Sequence, residues 1–81
     1  MATLRERITM WHKRDGIFPR TFVWRGNRVE VAAVESCRTE NRQGRVRRHI
    51  FRVRTDRGTF ELAEDVGRNA WHVEQMWLRA G

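Results

Sequence analysis

The sequence predicts a mainly β fold: a single small antiparallel sheet that curls on itself, or a barrel of SH3 or OB size, with about six strands. Three observations point that way. Apolar and polar residues alternate with a period of two over much of the chain, as in HIFRVRT at residues 49–55, and that period sends successive side chains to opposite sheet faces. Turn signals such as Asp15-Gly16, Gly26-Asn27 and Asp56-Arg57-Gly58 separate these runs at roughly the 8–12-residue spacing of small all-β folds. Four Trp and four Phe in 81 residues supply large rings that fill a small core with few side chains. A chain this short buries only about 60% of its unfolded surface. Closure is therefore favoured, because it hides sheet edges.

The first strand is expected at Ile8–Lys13, where Ile8, Met10 and His12 alternate into the Asp15-Gly16 turn. Thr3 and Glu6 have capping-box spacing, and Leu4, Ile8 and Trp11 share a helical face. Residues 1–7 therefore read as a frayed lead-in or one helical turn, and helix against strand stays open over residues 3–13. A second strand, Ile17–Trp24, puts Phe18, Arg20, Phe22 and Trp24 on one face. Pro19 has no N–H for a ladder, so this strand lies at an edge there or its pairing is interrupted.

In FVWRGNRVEV, residues 22–31, Gly26-Asn27 reads as a two-residue hairpin connection of the primed type. A third strand, Arg28–Cys37, follows, and Ala32-Ala33-Val34 shifts its apolar phase as a β-bulge does. Residues 38–47 are polar, contain Gly44 and read as a mobile basic loop. The fourth strand, Arg48–Thr55, directs His49, Phe51, Val53 and Thr55 one way and Arg48, Ile50, Arg52 and Arg54 the other. The fifth, Thr59–Ala63, turns Phe60 and Leu62 inward. After a polar bend at residues 64–69, with room for one helical turn, the sixth strand is Ala70–Leu78. It places Trp71, Val73, Gln75 and Trp77 on one face and His72, Glu74, Met76 and Leu78 on the other.

The net charge of +7 is concentrated: residues 38–57 hold eight Arg against Glu40 and Asp56. Clustered cations attract a polyanion by displacing its condensed counterions. Sixteen of the seventeen basic residues are Arg, which is also the mark of a GC-rich coding bias. Candidate nucleic-acid-binding residues are Arg42, Arg45, Arg47, Arg48, Arg52 and Arg54, with Trp11 or Trp24 available to stack on a base. The opposing reading is a solvated sheet face, with Glu30, Glu35 and Glu61 absorbing charge across strands. Met76, Trp77 and Leu78 form a second candidate, an apolar edge for a protein partner or a second copy of the chain.

Other chemistries find no support. His12, Cys37, His49 and His72 lack metal-ligand spacing, and Cys37 reads as a small buried hydrophobe. Ser36 has no elbow glycines, Glu64 and Asp65 are adjacent and point to opposite faces, and no glycine-rich loop opens a helix. No enzyme, metal or cofactor is expected. The first residues, MATLRERITMWHKR, contain no signal-like apolar run, and no stretch is long enough to span a bilayer. A cytoplasmic location is expected.

The segments DGIFPRTFVWRGNRVEV, RHIFRVRTDRGTFEL and WHVEQMW resemble a family of small uncharacterised bacterial domains with a Phe-x-Trp-Arg-Gly motif. The matching residues include Gly16, Pro19, Phe22, Trp24, Arg25, Gly26, Phe51, Arg52, Val53, Gly58, Phe60, Leu62, Trp71 and Val73. Val29 and Cys37 depart from the family pattern, where aromatic residues are common. Similar segments close the C-terminus of Y-family-polymerase-like mutagenesis accessory proteins, and this resemblance implies a role near DNA repair. The expected function is therefore a binding or adaptor module for nucleic acid; the alternatives are a protein-interaction module or a structural domain without a specific partner.

Overall fold

A computed structural model describes residues 2–79, with side chains from Arg5 onward. Six strands run in chain order: β1 (Ala2–Arg14), β2 (Phe18–Trp24), β3 (Asn27–Arg42), β4 (Arg45–Thr55), β5 (Gly58–Asp65) and β6 (Ala70–Leu78). Each pairs antiparallel with its neighbour, and β1 closes the barrel against β6. No helix occurs among the described residues.

Two long strands change partners and make the corners. β1 pairs with β6 through Ile8↔Trp71 and with β2 from Thr9↔Val23 onward. β3 pairs with β2 up to Glu30↔Thr21 and with β4 from Val31↔Thr55. The ladder shifts expected of the Ala32-Ala33-Val34 segment occur between Val31 and Ala33 and again between Val34 and Ser36. An added residue bends the strand and sharpens its twist. Interrupted pairing at Pro19 also holds: the β2–β3 ladder stops at Thr21, and Pro19 pairs only with Lys13 of β1.

Four sequence readings are corrected. The expected frayed or helical lead-in at residues 1–7 is strand from Ala2, held by Ala2↔Met76, Thr3↔Gln75 and Glu6↔Val73; Met1 lies outside the described residues. Pairing with β6 overrides the weak local helical preference. The expected mobile loop at residues 38–47 is a continuous two-stranded ribbon around a Gln43-Gly44 turn, with φ of +53° and +76°. The β2–β3 turn is Arg25-Gly26, φ +50° and +76°, one residue earlier than Gly26-Asn27. Asn27 pairs with Trp24, and its side-chain amide donates to the Arg25 carbonyl at 3.1 Å. A primed turn needs positive φ at both central residues, and Arg is an uncommon occupant of that region.

The fourth correction concerns β6. Its alternation breaks where Leu62↔Val73 gives way to Glu61↔Gln75, leaving Glu74 as an extra residue. Beyond that bulge the faces exchange: Met76 joins the core and Trp77 is half-buried instead of inward-facing. The core itself lies between the barrel walls. Phe60 stands edge-on to Phe22 and Trp24 at 5.6 and 5.2 Å, while Phe51 stacks on Trp71 at 5.6 Å.

Candidate functional site

The β3–β4 ribbon carries most of the basic residues singled out from the sequence. At its tip Arg42 pairs directly with Arg45, and Asn41 with Val46. β4 acquires its second neighbour only at Arg48↔Asp65, so the tip has no strand beside it. The ladder shift between Glu40 and Asn41 makes Arg47 an extra residue on β4. Its carbonyl accepts the Val66 amide at 2.9 Å and ties the ribbon base to the β5–β6 turn. Among the described residues no carboxylate lies within 4.0 Å of Arg42, Arg45 or Arg47. Like charges directly opposite on a ladder destabilise it, so this end of the ribbon stores unfavourable charge that an anion would relieve.

The other three arginines are placed differently, each beside a carboxylate. Arg48 donates to Glu40 at 3.1 Å and to Glu74. Burial works against its charge, yet hydrogen bonds to Glu40 and Glu74, reinforced by their negative charges, hold its pKa above the ordinary guanidinium value. Arg52 and Arg54 both approach Glu35, each at 3.9 Å, and the Arg52 guanidinium lies 4.5 Å over the Trp77 ring. Arg38 reaches Glu61 at 3.3 Å. Cross-strand acids thus neutralise the middle of the sheet face, through Glu35 and Glu61 as the sequence allowed and through Glu40 and Glu74 as it did not. Ile50, read as sharing the outward side with these arginines, is only 1% exposed, as is its ladder partner Ala63. The aliphatic stems of flanking arginines are the groups available to shield them.

Trp24 is a core residue with a cation over its ring: it is buried, and the Arg25 guanidinium lies 4.7 Å from the ring centroid. Trp11 behaves otherwise. The β1 ladder skips it between Met10↔Phe22 and His12↔Thr21, leaving it 51% exposed with Arg28 4.1 Å over its ring. This exposed ring–guanidinium pair is the only aromatic surface of its kind among the described residues that the sequence had also put forward for stacking.

The apolar edge expected at Met76, Trp77 and Leu78 is corrected. Met76 is buried in the core, Trp77 lies under Arg52, and Leu78 alone is exposed. β6 is paired with β5 through Leu78 and with β1 up to Met76. Cys37, read as a buried hydrophobe, is exposed on β3. His49 is engaged by the Thr39 hydroxyl at 3.1 Å. No three His, Cys, Asp or Glu side chains among the described residues converge to hold a metal.

A family model described as a domain of unknown function (DUF6504) matches residues 3–79. No curated protein and no solved structure matches the chain.

Proposed function

The chain belongs to this DUF6504 family, and we propose that it associates with nucleic acid through the tip of the β3–β4 ribbon. The observation that carries the reading is the facing pair Arg42–Arg45, joined by Arg47, with no carboxylate within 4.0 Å of any of them among the described residues. Guanidinium groups bind phosphate oxygens in a bidentate manner, and a two-stranded ribbon has the width that a DNA major groove admits. Arg48, Arg52 and Arg54, each beside a carboxylate, make a smaller contribution to binding. The exposed Trp11–Arg28 pair adds a stacking surface for an unpaired base. A DNA-repair setting and a cytoplasmic location belong to this proposal as its expected context.

The test is titration of labelled single- and double-stranded oligonucleotides at two salt concentrations. Binding should weaken with salt. The combined substitution R42Q/R45Q/R47Q should lower the salt slope by about 2–3, roughly 0.9 for each phosphate no longer neutralised, with an unchanged circular dichroism spectrum. No binding at low salt, or equal binding by the triple variant, would refute the proposal.

A further inference from the structure

β3 carries a second surface that is independent of the arginine tip. Over Val31–Arg42 it pairs with β4 on one side, and no strand among the described residues pairs with the other. The neighbour in position to cover this side is β2, but its ladder to β3 ends at Thr21↔Glu30 and Pro19 has no N–H to extend it. Phe18 and Pro19 pair with Arg14 and Lys13 of β1 instead. The barrel is therefore closed by a short ladder, and beyond it one long strand presents backbone donors and acceptors to solvent. Unpaired groups of this kind form a template for another extended chain.

What lies beside the start of this edge indicates the partner's chemistry. A cavity of about 170 Å³ is lined by Arg14, Pro19, Arg20 and the segment from Val31 to Val34. Among the described residues neither Arg14 nor Arg20 has a carboxylate within 4.0 Å. Ala32 and Ala33 leave room for an incoming side chain. The acids on the edge strand are engaged elsewhere, Glu35 with Arg52 and Arg54, and Glu40 with Arg48.

We infer that the free edge of β3, from Val31 to Glu40, binds an extended acidic peptide segment by β-strand addition, with Arg14 and Arg20 receiving its carboxylates. A second copy of the chain fits less well, since each copy carries +7 and like charge opposes self-association. A nucleic acid could satisfy the arginines but has no alternating N–H and C=O groups with which to extend the sheet.

The probe is a fluorescein-labelled heptapeptide of alternating Glu and Val, compared with a twin N-methylated at alternate residues. The two have equal charge and differ in their ability to form a ladder. The unmodified peptide should bind the full chain and slow hydrogen exchange at backbone amides within residues 31–40. N-methylation should weaken binding by about tenfold or more, the worth of two or three hydrogen bonds removed. R14Q/R20Q should weaken it by a similar factor, while R42Q/R45Q/R47Q should leave peptide affinity nearly unchanged. Equal binding of both peptides, absence of exchange protection on the edge, or no binding at all would overturn the inference. Protection of residues 31–40 that rises with protein concentration before any peptide is added would overturn it too, in favour of a second copy.

Discussion

Arg25 grips both carboxylate oxygens of Glu6, its Nε donating at 2.8 Å and its Nη2 at 3.0 Å. The two residues sit on different walls of the β1–β2–β3 corner, so this pair ties the Arg25-Gly26 turn back to β1. The same guanidinium also covers the Trp24 ring. A motif that looks in sequence like a binding tip is thus occupied within the molecule.

That pairing shows in how Glu6 titrates. The hydrogen bond from Arg25, with help from its charge, lowers the Glu6 pKa below its ordinary 4.5, against the opposing effect of desolvation. A carboxylate depressed in the folded state contributes stability above its unfolded pKa, and the contribution is lost as pH falls through the folded value. NMR titration should find the Glu6 midpoint below 4.5 and moved upward in Arg25→Gln. An ordinary midpoint in both proteins would count against the pair.

Gly58→Ala should be among the most damaging single changes. Gly58 has φ +131°, a region that L side chains rarely adopt, and an added Cβ would run into the Trp77 carbonyl oxygen and the backbone at Leu78 and Arg79. These are backbone atoms at and just past the end of β6, and they cannot swing aside as the end of a flexible side chain would. The expected loss is about 2–4 kcal/mol by urea denaturation. A loss below about 0.5 kcal/mol, typical of an ordinary surface position, would show that the close approach is relieved by a small shift.

Arg48 and Arg54 stand six residues apart on β4 and should respond differently to the same substitution. Arg48 is largely enclosed and bridges Glu40 and Glu74, so Arg48→Gln leaves two carboxylates without their shared cation. A loss of about 1–3 kcal/mol is expected. Arg54, with a 60% exposed side chain and a 3.9 Å approach to Glu35, should lose less than about 0.5 kcal/mol as Gln. Equal effects in thermal melts would contradict this division of the sheet face.

Cys37 provides a probe of the β3 edge. It is exposed in the folded chain, so a thiol reagent should modify it under native conditions nearly as fast as in denaturant. Modification that requires unfolding would place the thiol inside. Protection by the acidic heptapeptide, released when the peptide is N-methylated, would link the thiol to strand addition.

Much of this molecule can be read along the chain because the relevant physics is local. Alternation identified strands in the second half closely: the expected Arg48–Thr55 and Thr59–Ala63 lie inside β4 and β5, and Ala70–Leu78 coincides with β6. Phe22, Phe51, Phe60 and Leu62, inward by pattern, are fully buried. The misreadings cluster where a distant partner outweighs local preference. Residues 2–7 extend because β6 has an edge to fill, and residues 38–47 extend because a Gln43-Gly44 turn folds two polar strands onto each other. Neither segment has the apolar alternation that signals burial, because both gain their order from backbone pairing.

The linear order of residues was enough to specify an all-β chain, its ring-rich interior and a basic middle, since each depends on side-chain type and a period of two. Which arginines keep their charge available was decided in three dimensions. Glu35, Glu61 and Glu74 reach β4 and β3 only through ladder register, and a one-residue bulge at Glu74 exchanges the faces of Met76 and Trp77. Register depends on how whole strands meet, so the charge balance of the surface follows from closure of the barrel and not from any short segment of chain.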